Sequence, residues 1–238
     1  MSVPPELRHH FREELKGLEQ GALGGFELVI RQLERVLEAI SYQDVELASM
    51  VVADDDQMDG RYLEIHQGVL TLLATQTPVA TDLRLVAALL HIIRCLERIG
   101  DQCVNIAKLV PLSGHEQPKD KEILDAIERM GRLAHSQVAQ AKEAFASRNV
   151  ELAHDLVHQD AEINRLNRGI FKRAVEIGDE MEMREWAMLM ILVARALERI
   201  GDNTVDIAEQ VVFVVTGLFR ELADASHPMP ERSGAAPA

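Results

Sequence analysis

A long internal repeat is the feature that most restricts what this chain can fold into. Residues 96–101, LERIGD, recur letter for letter at residues 197–202, an offset of 101 positions. Flanking identities extend the match, so that 10 of the 23 positions from 85 to 107 are identical. A second match, VELA at 45–48 and 150–153, has an offset of 105 positions. The chain therefore contains two copies of one unit of about 100 residues.

The two offsets differ by four residues, which the first copy must hold between its two matched segments. We expect these extra residues in a turn around Gln76, Thr77 and Pro78. Between the copies, residues 111–118 read PLSGHEQP and contain the Pro and Gly residues that interrupt helices. The sequence thus predicts one domain over residues 1–112 and a second over 119–220.

Composition indicates that both copies are helical. Only 9 residues are aromatic (6 Phe, 2 Tyr and 1 Trp), and Ala, Leu, Glu and Arg, which favour helices, recur throughout. We predict an all-α fold of two tandem, similar three-helix bundles. The six helices run over about 6–40, 44–73, 81–110, 119–147, 150–178 and 183–218. Predicted N-caps are Asp44, Asn149, Asp82 and Asp120.

Charge and cysteine content narrow the class of protein. A net charge of −14 disfavours binding to nucleic acid, which is itself a polyanion. Cys95 and Cys103 would lie about 12 Å apart along one helix, too far for a disulfide. The N-terminal residues form no apolar signal core, and no apolar run reaches the roughly 20 residues that span a bilayer. We expect a reduced, cytoplasmic protein that touches membranes peripherally at most, with a disordered Pro/Ala/Ser-rich tail at 225–238.

Acidic rows on the repeated helices are the candidate functional residues. In each copy, residues four apart on the third helix share one face, and a second acidic pair lies on the preceding helix. If these two helices are antiparallel neighbours, each copy gathers four carboxylates and one amide. The first set is Asp55, Asp59, Glu97, Asp101 and Asn105, and the second is Asp160, Asn164, Glu198, Asp202 and Asp206. Such all-oxygen sets suit hard cations such as Mg²⁺, Ca²⁺, Mn²⁺ or iron.

Two other interpretations start from the same helices. The arginines of the repeat could pair with the acids, which would make the chain a helical adaptor without metal; they are Arg94, Arg98, Arg195 and Arg199. Glu151 and His154 have the Glu-x-x-His spacing of di-iron enzymes, but those enzymes need two such motifs, and Ser49 stands at the equivalent position of the first copy. Gly100 and Gly201 occupy the same place in each repeat and predict a close approach between helices.

The paired LERIGD…IA segments, each near the end of a unit of about 100 residues, resemble the PhoU family of phosphate-specific transport system accessory proteins. Asp82-Leu-Arg84 also fits the family pattern. The resemblance covers residues 6–218 and implies two three-helix bundles side by side and no enzymatic activity. It further implies that the protein restrains the phosphate-starvation response and phosphate uptake by contacting the ATPase of the phosphate ABC transporter and a sensor histidine kinase. Family members commonly form dimers or larger oligomers, and among these the resemblance favours a homodimer.

The same resemblance implies metal ions or multinuclear clusters on the acidic rows, with Fe, Zn, Mn or Mg as candidates. Glu97, Asp101, Glu198 and Asp202 match the family motif directly. Asp206 extends the motif, whereas Asn105 replaces its usual acid. The remaining ligands that the resemblance implies match a looser part of the pattern and are Asp55, Asp59 and Asp160.

Overall fold

The computed structural model describes residues 5–113, 120–178, 180–218 and 222, and for residues 5–8 only the backbone. Within these residues the chain forms seven α-helices and no strand, which confirms the predicted all-α class. The helices are α1 (Pro5–Tyr42), α2 (Val45–Ala53), α3 (Asp55–Thr75), α4 (Thr81–Leu109), α5 (Lys121–Ser147), α6 (Val150–Glu176) and α7 (Met181–Thr216). The predicted domain limits stay a prediction, and the predicted disordered tail at 225–238 lies outside the described residues.

Side-chain caps fix where three of these helices begin. The carboxylate of Asp44 accepts a hydrogen bond from the backbone N–H of Leu47 at 2.9 Å, and Asp120 and Asn149 cap α5 and α6 in the same way. The prediction that Asp82 is an N-cap is wrong. Helix α4 already begins at Thr81, so Asp82 lies in its first turn, where a carboxylate still interacts favourably with the helix dipole.

The second helix predicted for the first copy, residues 44–73, is in fact two helices. Asp54 separates α2 from α3, and it begins a run of three aspartates, a residue that favours helix starts over helix interiors. The side chain of Asp54 accepts a hydrogen bond from Arg35 on α1 at 2.5 Å and another from Gln57 at 3.0 Å. The break is therefore held in place by contacts to α1 and to the first turn of α3.

The prediction that the four extra residues of the first copy lie in the turn near Pro78 is wrong. From Asp55 to its end at Thr75, α3 has 21 residues, whereas α6 has 17 residues from the equivalent Asp160 to its end at Glu176. Four residues are about one helical turn. The first copy has therefore lengthened a helix by one turn and kept the acidic residues of both copies in matching positions.

The two bundles pack side by side through two antiparallel helix pairs. On one side α4 lies against α7, where Arg84 Nε donates to the carbonyl oxygen of Val214 at 3.3 Å. On the other side α1 lies against α5, where His135 Nε2 is 2.9 Å from a carboxylate oxygen of Glu34. One continuous core of buried apolar side chains runs through both bundles.

The outer helices bring the acidic residues of each copy next to the repeated motif. Helix α3 packs on α4, and α6 packs on α7, so the two helices that carry the acidic residues of each copy are neighbours. In the part of the chain that the structure describes, no helix combines the length and the apolar character needed to cross a membrane. The fold thus holds two equivalent helix pairs, each with acidic side chains along its seam.

Candidate metal centre

The structure brings together the predicted acids of the first copy. A Cβ atom placed on Gly100 of α4 would lie only 3.4 Å from Oδ1 of Asp55 on α3. Burial raises the pKa of Asp55, and the carboxylates of Asp59 and Asp101 raise it further. Burial and the nearby Asp101 likewise raise the pKa of Glu97. We call Asp55, Asp59, Glu97 and Asp101 the first acidic cluster; their role as metal ligands stays a prediction.

The second copy builds an equivalent group from α6 and α7. Burial raises the pKa of Asp160 to about 6, and the charges of Asp202 and Glu198 add to that increase. Asn164 Nδ2 donates to Asp160 Oδ2 at 2.6 Å and so places the amide beside the carboxylates. We call Asp160, Glu198 and Asp202, with Asn164, the second acidic cluster. Metal binding by these residues also stays a prediction.

The two repeated glycines have a specific structural role in these clusters. A Cβ on Gly201 would lie 2.5 Å from Asp160 Oδ1, closer than real Cβ atoms come to other atoms. A Cβ on Gly100 would lie 3.4 Å from Asp55 Oδ1, which is an ordinary contact distance. Gly201 therefore lets Asp160 approach the backbone of α7 more closely than any other residue would allow, whereas the aspartate beside Gly100 packs at ordinary contact distance. This agrees with the close helix approach predicted from the sequence.

Asp206 does not lie in the second acidic cluster, although it was grouped there from the sequence. Burial raises its pKa, and the groups that lower it are His91 and Arg98 on α4 of the other bundle. A step of four residues advances about 40° around an α-helix, so two steps from Glu198 carry Asp206 off the α6 face and towards α4. Asn105, the equivalent residue of the first copy, is exposed beyond Asp101 on α4.

Two buried glutamines complete the acidic clusters and were missed by the sequence interpretation. Gln32 Nε2 on α1 donates to Asp55 Oδ1 at 3.4 Å. Gln137 on α5 is fully buried, and neither of its polar side-chain atoms has a hydrogen-bond partner among the described residues. The two residues are separated by 105 positions, the offset of the upstream repeat match. That shared offset, within an apolar stripe of each first helix, was the available signal.

Arginines neutralise part of the negative charge in both clusters. Arg94 donates to Glu97 Oε1 at 3.1 Å, and Arg195 donates to both carboxylate oxygens of Glu198. Arg94 also lies over the ring of Tyr62, 5.7 Å from its centroid. The ion pairs predicted by the adaptor interpretation are therefore present at the two glutamates.

The remaining oxygen atoms fit the chemistry of a hard cation. Glu97 Oε2, Asp160 Oδ1 and Gln32 Oε1 are buried and have no hydrogen-bond partner among the residues that the structure describes. Buried oxygen atoms without partners are costly, and a Mg²⁺, Mn²⁺ or iron ion would satisfy them. Within the described chain, however, no three carboxylates of either acidic cluster bring ligand atoms within 4.8 Å of one another. A cation would therefore have to draw the exposed carboxylates of Asp59, Asp101 and Asp202 inwards.

The Glu-x-x-His motif of α6 does not form part of a bundle-core metal site. Glu151 and His154 are both exposed, whereas the ligands of di-iron bundle enzymes project into the bundle. Ser49, at the equivalent position of His154, donates its hydroxyl hydrogen bond to the carbonyl oxygen of Val45 within α2. This arrangement argues against the di-iron oxidase interpretation.

Comparison with known proteins supports the resemblance noted in the sequence. The family model of the PhoU domain matches the chain twice, over residues 25–110 and 127–211. A phosphate-specific transport system accessory protein PhoU homolog of Clostridium acetobutylicum is 31% identical over 219 residues, which are 91% of this chain and 99% of that protein. The PhoU homolog 1 of Thermotoga maritima is 31% identical over 209 residues, covering 87% of this chain and 90% of that protein.

Solved structures agree with the sequence comparisons. The phosphate transport system regulatory protein PhoU of Streptococcus pneumoniae matches with a TM-score of 0.81 at 27% identity, covering 88% of this chain and 99% of that one. PhoU of Pseudomonas aeruginosa also matches with a TM-score of 0.81 at 27% identity, covering 87% of this chain and 100% of the other. Both similarities extend over the two bundles together.

Proposed function

Because this chain belongs to the PhoU family, whose members are named as accessory proteins of phosphate transport systems, we propose that it is a metal-binding negative regulator of phosphate uptake and of the phosphate-starvation response. It acts by contact and not by catalysis, on the ATPase subunit of the phosphate ABC transporter and on a sensor histidine kinase. The observation that carries the metal part is the pair of equivalent acidic clusters. Their buried, unpartnered oxygen atoms support a cation in each.

The residues of each cluster have distinct parts in this proposal. Asp55 and Asp160 lie beside the glycine of the repeated motif. The buried oxygen without a partner comes from Asp160 in the second site and from Glu97 in the first. The exposed aspartates, which are Asp59, Asp101 and Asp202, supply oxygen atoms that move inwards to the ion. Glu97 and Glu198 also coordinate the ion and keep their ion pairs with arginine. A bound divalent or iron ion would offset the repulsion between carboxylates that raises their pKa values.

Metal content of the purified protein tests this part of the proposal. Glu97→Ala combined with Asp101→Ala should remove the metal of the first cluster, and Glu198→Ala combined with Asp202→Ala that of the second. Asp125→Ala combined with Glu128→Ala is a matched control, because it removes two exposed carboxylates of α5. Unchanged metal content in both cluster variants would contradict the proposal.

The regulatory part requires a cellular experiment. In a strain that lacks the endogenous gene, the wild-type chain should restore repression of phosphate-starvation genes when phosphate is ample. Affinity purification from the same cells should recover the transporter ATPase and a histidine kinase. Loss of repression in the cluster variants, but not in the α5 control, would connect the metal to regulation.

A helical adaptor without metal is the second candidate, and the arginine–glutamate pairs favour it. The ion pairs of Arg94 with Glu97 and of Arg195 with Glu198 provide partial charge compensation without an ion. This candidate predicts that partner recovery persists in protein shown to contain no metal. The metal-dependent proposal predicts that chelation releases the partners.

A surface for partner contact is also available on the second bundle. Phe171 and Val175 lie one turn apart on α6 with 58% and 70% of their surfaces exposed, and Met181 at the start of α7 is 71% exposed. Exposed apolar groups of this kind often mark protein contacts. The homodimer and the cytoplasmic location implied by the resemblance stay predictions; a light-scattering mass and cell fractionation test them.

A further inference from the structure

A second kind of ligand set lies between the two bundles, away from the acidic clusters. His91 and Cys95 are one turn apart on α4, and Asp206 faces them from α7. One ligand atom from each of the three lies within 4.8 Å of the others, and no other such group occurs in the part of the chain that the structure describes. The set mixes nitrogen, sulfur and oxygen, in contrast to the all-oxygen acidic clusters.

The internal repeat shows that this set has arisen on one side only. The 101-residue offset maps the three ligand positions onto the other copy, and every one of them changes. The equivalent residues are Leu192, Ala196 and Asn105. All three side chains of the set are therefore concentrated at one of two equivalent positions along the α4–α7 pair.

We propose that His91, Cys95 and Asp206 bind a divalent transition-metal ion of the Zn²⁺ class, which connects the first bundle to the second. A nitrogen, a sulfur and a carboxylate oxygen are ligands that zinc uses, with a fourth position left for water. Ligand atoms around tetrahedral zinc are about 3.3–3.8 Å apart, so a spacing of at most 4.8 Å requires each to move by no more than about 1 Å. His91 is exposed and Asp206 is half-buried, so both can rotate towards the buried Cys95.

The charges around this set permit such an ion. Burial raises the pKa of the Cys95 thiol to about 12, and the carboxylate of Asp206 raises it further. The guanidinium groups of Arg98 and Arg94 act in the opposite direction and lower that pKa. When Zn²⁺ binds, the thiol of Cys95 releases its proton to water and coordinates as the thiolate. The ion, the thiolate and the carboxylate of Asp206 then sum to zero charge, which limits repulsion from the arginines.

Cobalt absorption spectroscopy tests this site on the full chain. The protein is stripped with a chelator, kept reduced and titrated with Co²⁺, which replaces Zn²⁺ and produces a thiolate-to-cobalt absorption band. We expect one equivalent of Co²⁺ to produce this band in the wild type. Cys95→Ser should abolish it, whereas Cys103→Ser should retain it, since Cys103 is a buried cysteine of the same helix outside the set.

A milder variant keeps the test valid if Cys95→Ser fails to fold. Asp206→Asn installs the residue that the first copy carries at position 105, and it should weaken Co²⁺ binding at least as much as the about 10–100-fold loss typical of an outer-shell partner. Addition of Zn²⁺ should displace the cobalt band and raise the Tm of the wild type more than that of Asp206→Asn.

The same assay separates this site from the acidic clusters. Glu97→Ala combined with Asp101→Ala should leave the thiolate band unchanged even where it lowers total metal content. Absence of a thiolate band in folded wild-type protein, or a band that survives Cys95→Ser, would overturn the inference. Neither of those results depends on the outcome for the acidic clusters.

Discussion

The two acidic clusters come from the same repeated unit, but they hold their buried aspartates differently. In the first, Asp55 accepts a hydrogen bond from Gln32, and its carboxylate lies 3.4 Å from where a Cβ of Gly100 would be. In the second, Oδ1 of Asp160 has no partner among the described residues and lies 2.5 Å from where a Cβ of Gly201 would be. The repeat therefore sets where the carboxylates lie, and local packing sets how strongly they are desolvated.

The first cluster carries more negative charge than the second, although the second is more deeply buried. Asp59 of the first cluster is replaced by Asn164 in the second, which removes one carboxylate. The side chain of Glu97 is 17% exposed and that of Glu198 12%. The first cluster thus offers more negative charge to a cation, whereas the second offers a drier site in which each charge acts more strongly.

The largest expected difference between the copies is the response to alanine at the two glycines. Replacing a glycine within a helix by alanine raises the free energy of unfolding by about 1 kcal/mol. Overpacking of a core lowers it by about 1–3 kcal/mol. Gly201→Ala must displace the carboxylate of Asp160, which also accepts the hydrogen bond from Asn164, so we expect the free energy of unfolding to fall by about 2 kcal/mol. Gly100→Ala should leave it unchanged within about 1 kcal/mol, because its contacts begin at 3.2 Å.

Urea unfolding of the chelator-treated variants measures this difference directly. Gly60→Ala is a suitable control, because a Cβ at that exposed position of α3 would contact nothing within 4 Å. Equal losses of unfolding free energy in Gly100→Ala and Gly201→Ala would show that the two clusters are packed equally tightly and would contradict the difference inferred above.

Exchanging the amide and the carboxylate between the copies should have the next largest effect. We expect Asn164→Asp to raise the affinity of the second cluster for Mn²⁺ about tenfold, since ligand charge tunes the affinity of oxygen sites for divalent cations. Asp59→Asn should lower the affinity of the first cluster by a similar factor, about 1.4 kcal/mol. Calorimetric titration of metal-free protein with Mn²⁺ measures both.

The control for this exchange is Gln67→Glu, which adds a carboxylate at an exposed position of the same helix as Asp59. If the control raises the affinity as much as Asn164→Asp does, net charge and not the cluster explains the change. A cluster effect requires that only the substitutions at 59 and 164 alter binding.

The repeat and the acidic rows with four-residue spacing were enough to predict the fold and most members of the two clusters. A four-residue spacing places carboxylates on one face, and helix packing brings the facing rows together, so Asp55 and Glu97 could be placed without coordinates. The position of Asp206 could not, because the drift of a 3.6-residue helix over two turns moves a side chain to a different neighbour. The neighbours of Asp206 depend on how the two bundles pack against each other, and the sequence of one repeat does not determine that packing.

Other features depended on contacts between distant segments. The break at Asp54 is held by Arg35 of α1, which the local sequence of α2 does not reveal. Gln32 and Gln137 read as isolated polar residues in apolar stripes, and only the packing of α1 and α5 against the clusters gives them partners or leaves them without. The position of the added turn in α3 was likewise invisible, because the difference in offset places the insertion only somewhere between the two matched segments.

The pH dependence of stability should differ between the copies. The pKa of Asp160 rises from 3.8 to about 6 in the folded, metal-free protein, so its ionised form destabilises the fold. This destabilisation is absent below about pH 4, where Asp160 is protonated in both the folded and the unfolded state, and it is complete above about pH 6. We expect Asp160→Asn to match the wild type near pH 4 and to be more stable by about 1 kcal/mol at pH 7.5, since the carboxylate is partly exposed to solvent.

Asp55→Asn is the matched variant in the first copy, where Gln32 stabilises the ionised carboxylate and moderates the rise in pKa. Its stability difference from the wild type should change less between pH 4 and pH 7.5. Urea unfolding in chelator at both pH values gives the two differences. Parallel behaviour of the two variants would remove the distinction between a hydrogen-bonded and an unpartnered aspartate.

The smallest expected difference concerns the two glutamines themselves. Gln32→Met removes the donor to Asp55, and a hydrogen bond to a charged group contributes about 1.5–3 kcal/mol at ordinary length. At 3.4 Å this bond is long, so we expect a loss of about 1 kcal/mol in unfolding free energy. Gln137→Met instead replaces a buried amide without partners by an apolar chain of similar volume, which is expected to be neutral or stabilising.

Metal binding provides the reverse test for the same pair of residues. If Gln137 supplies its amide oxygen to a cation in the second cluster, Gln137→Met becomes destabilising once Mn²⁺ is present, although it is neutral without metal. The Tm of Gln137→Met relative to the wild type, measured with and without Mn²⁺, shows whether the substitution becomes destabilising when the metal is present. A neutral result under both conditions would mean that the buried amide serves neither the fold nor the ion, and that the second cluster binds through its carboxylates and Asn164 alone.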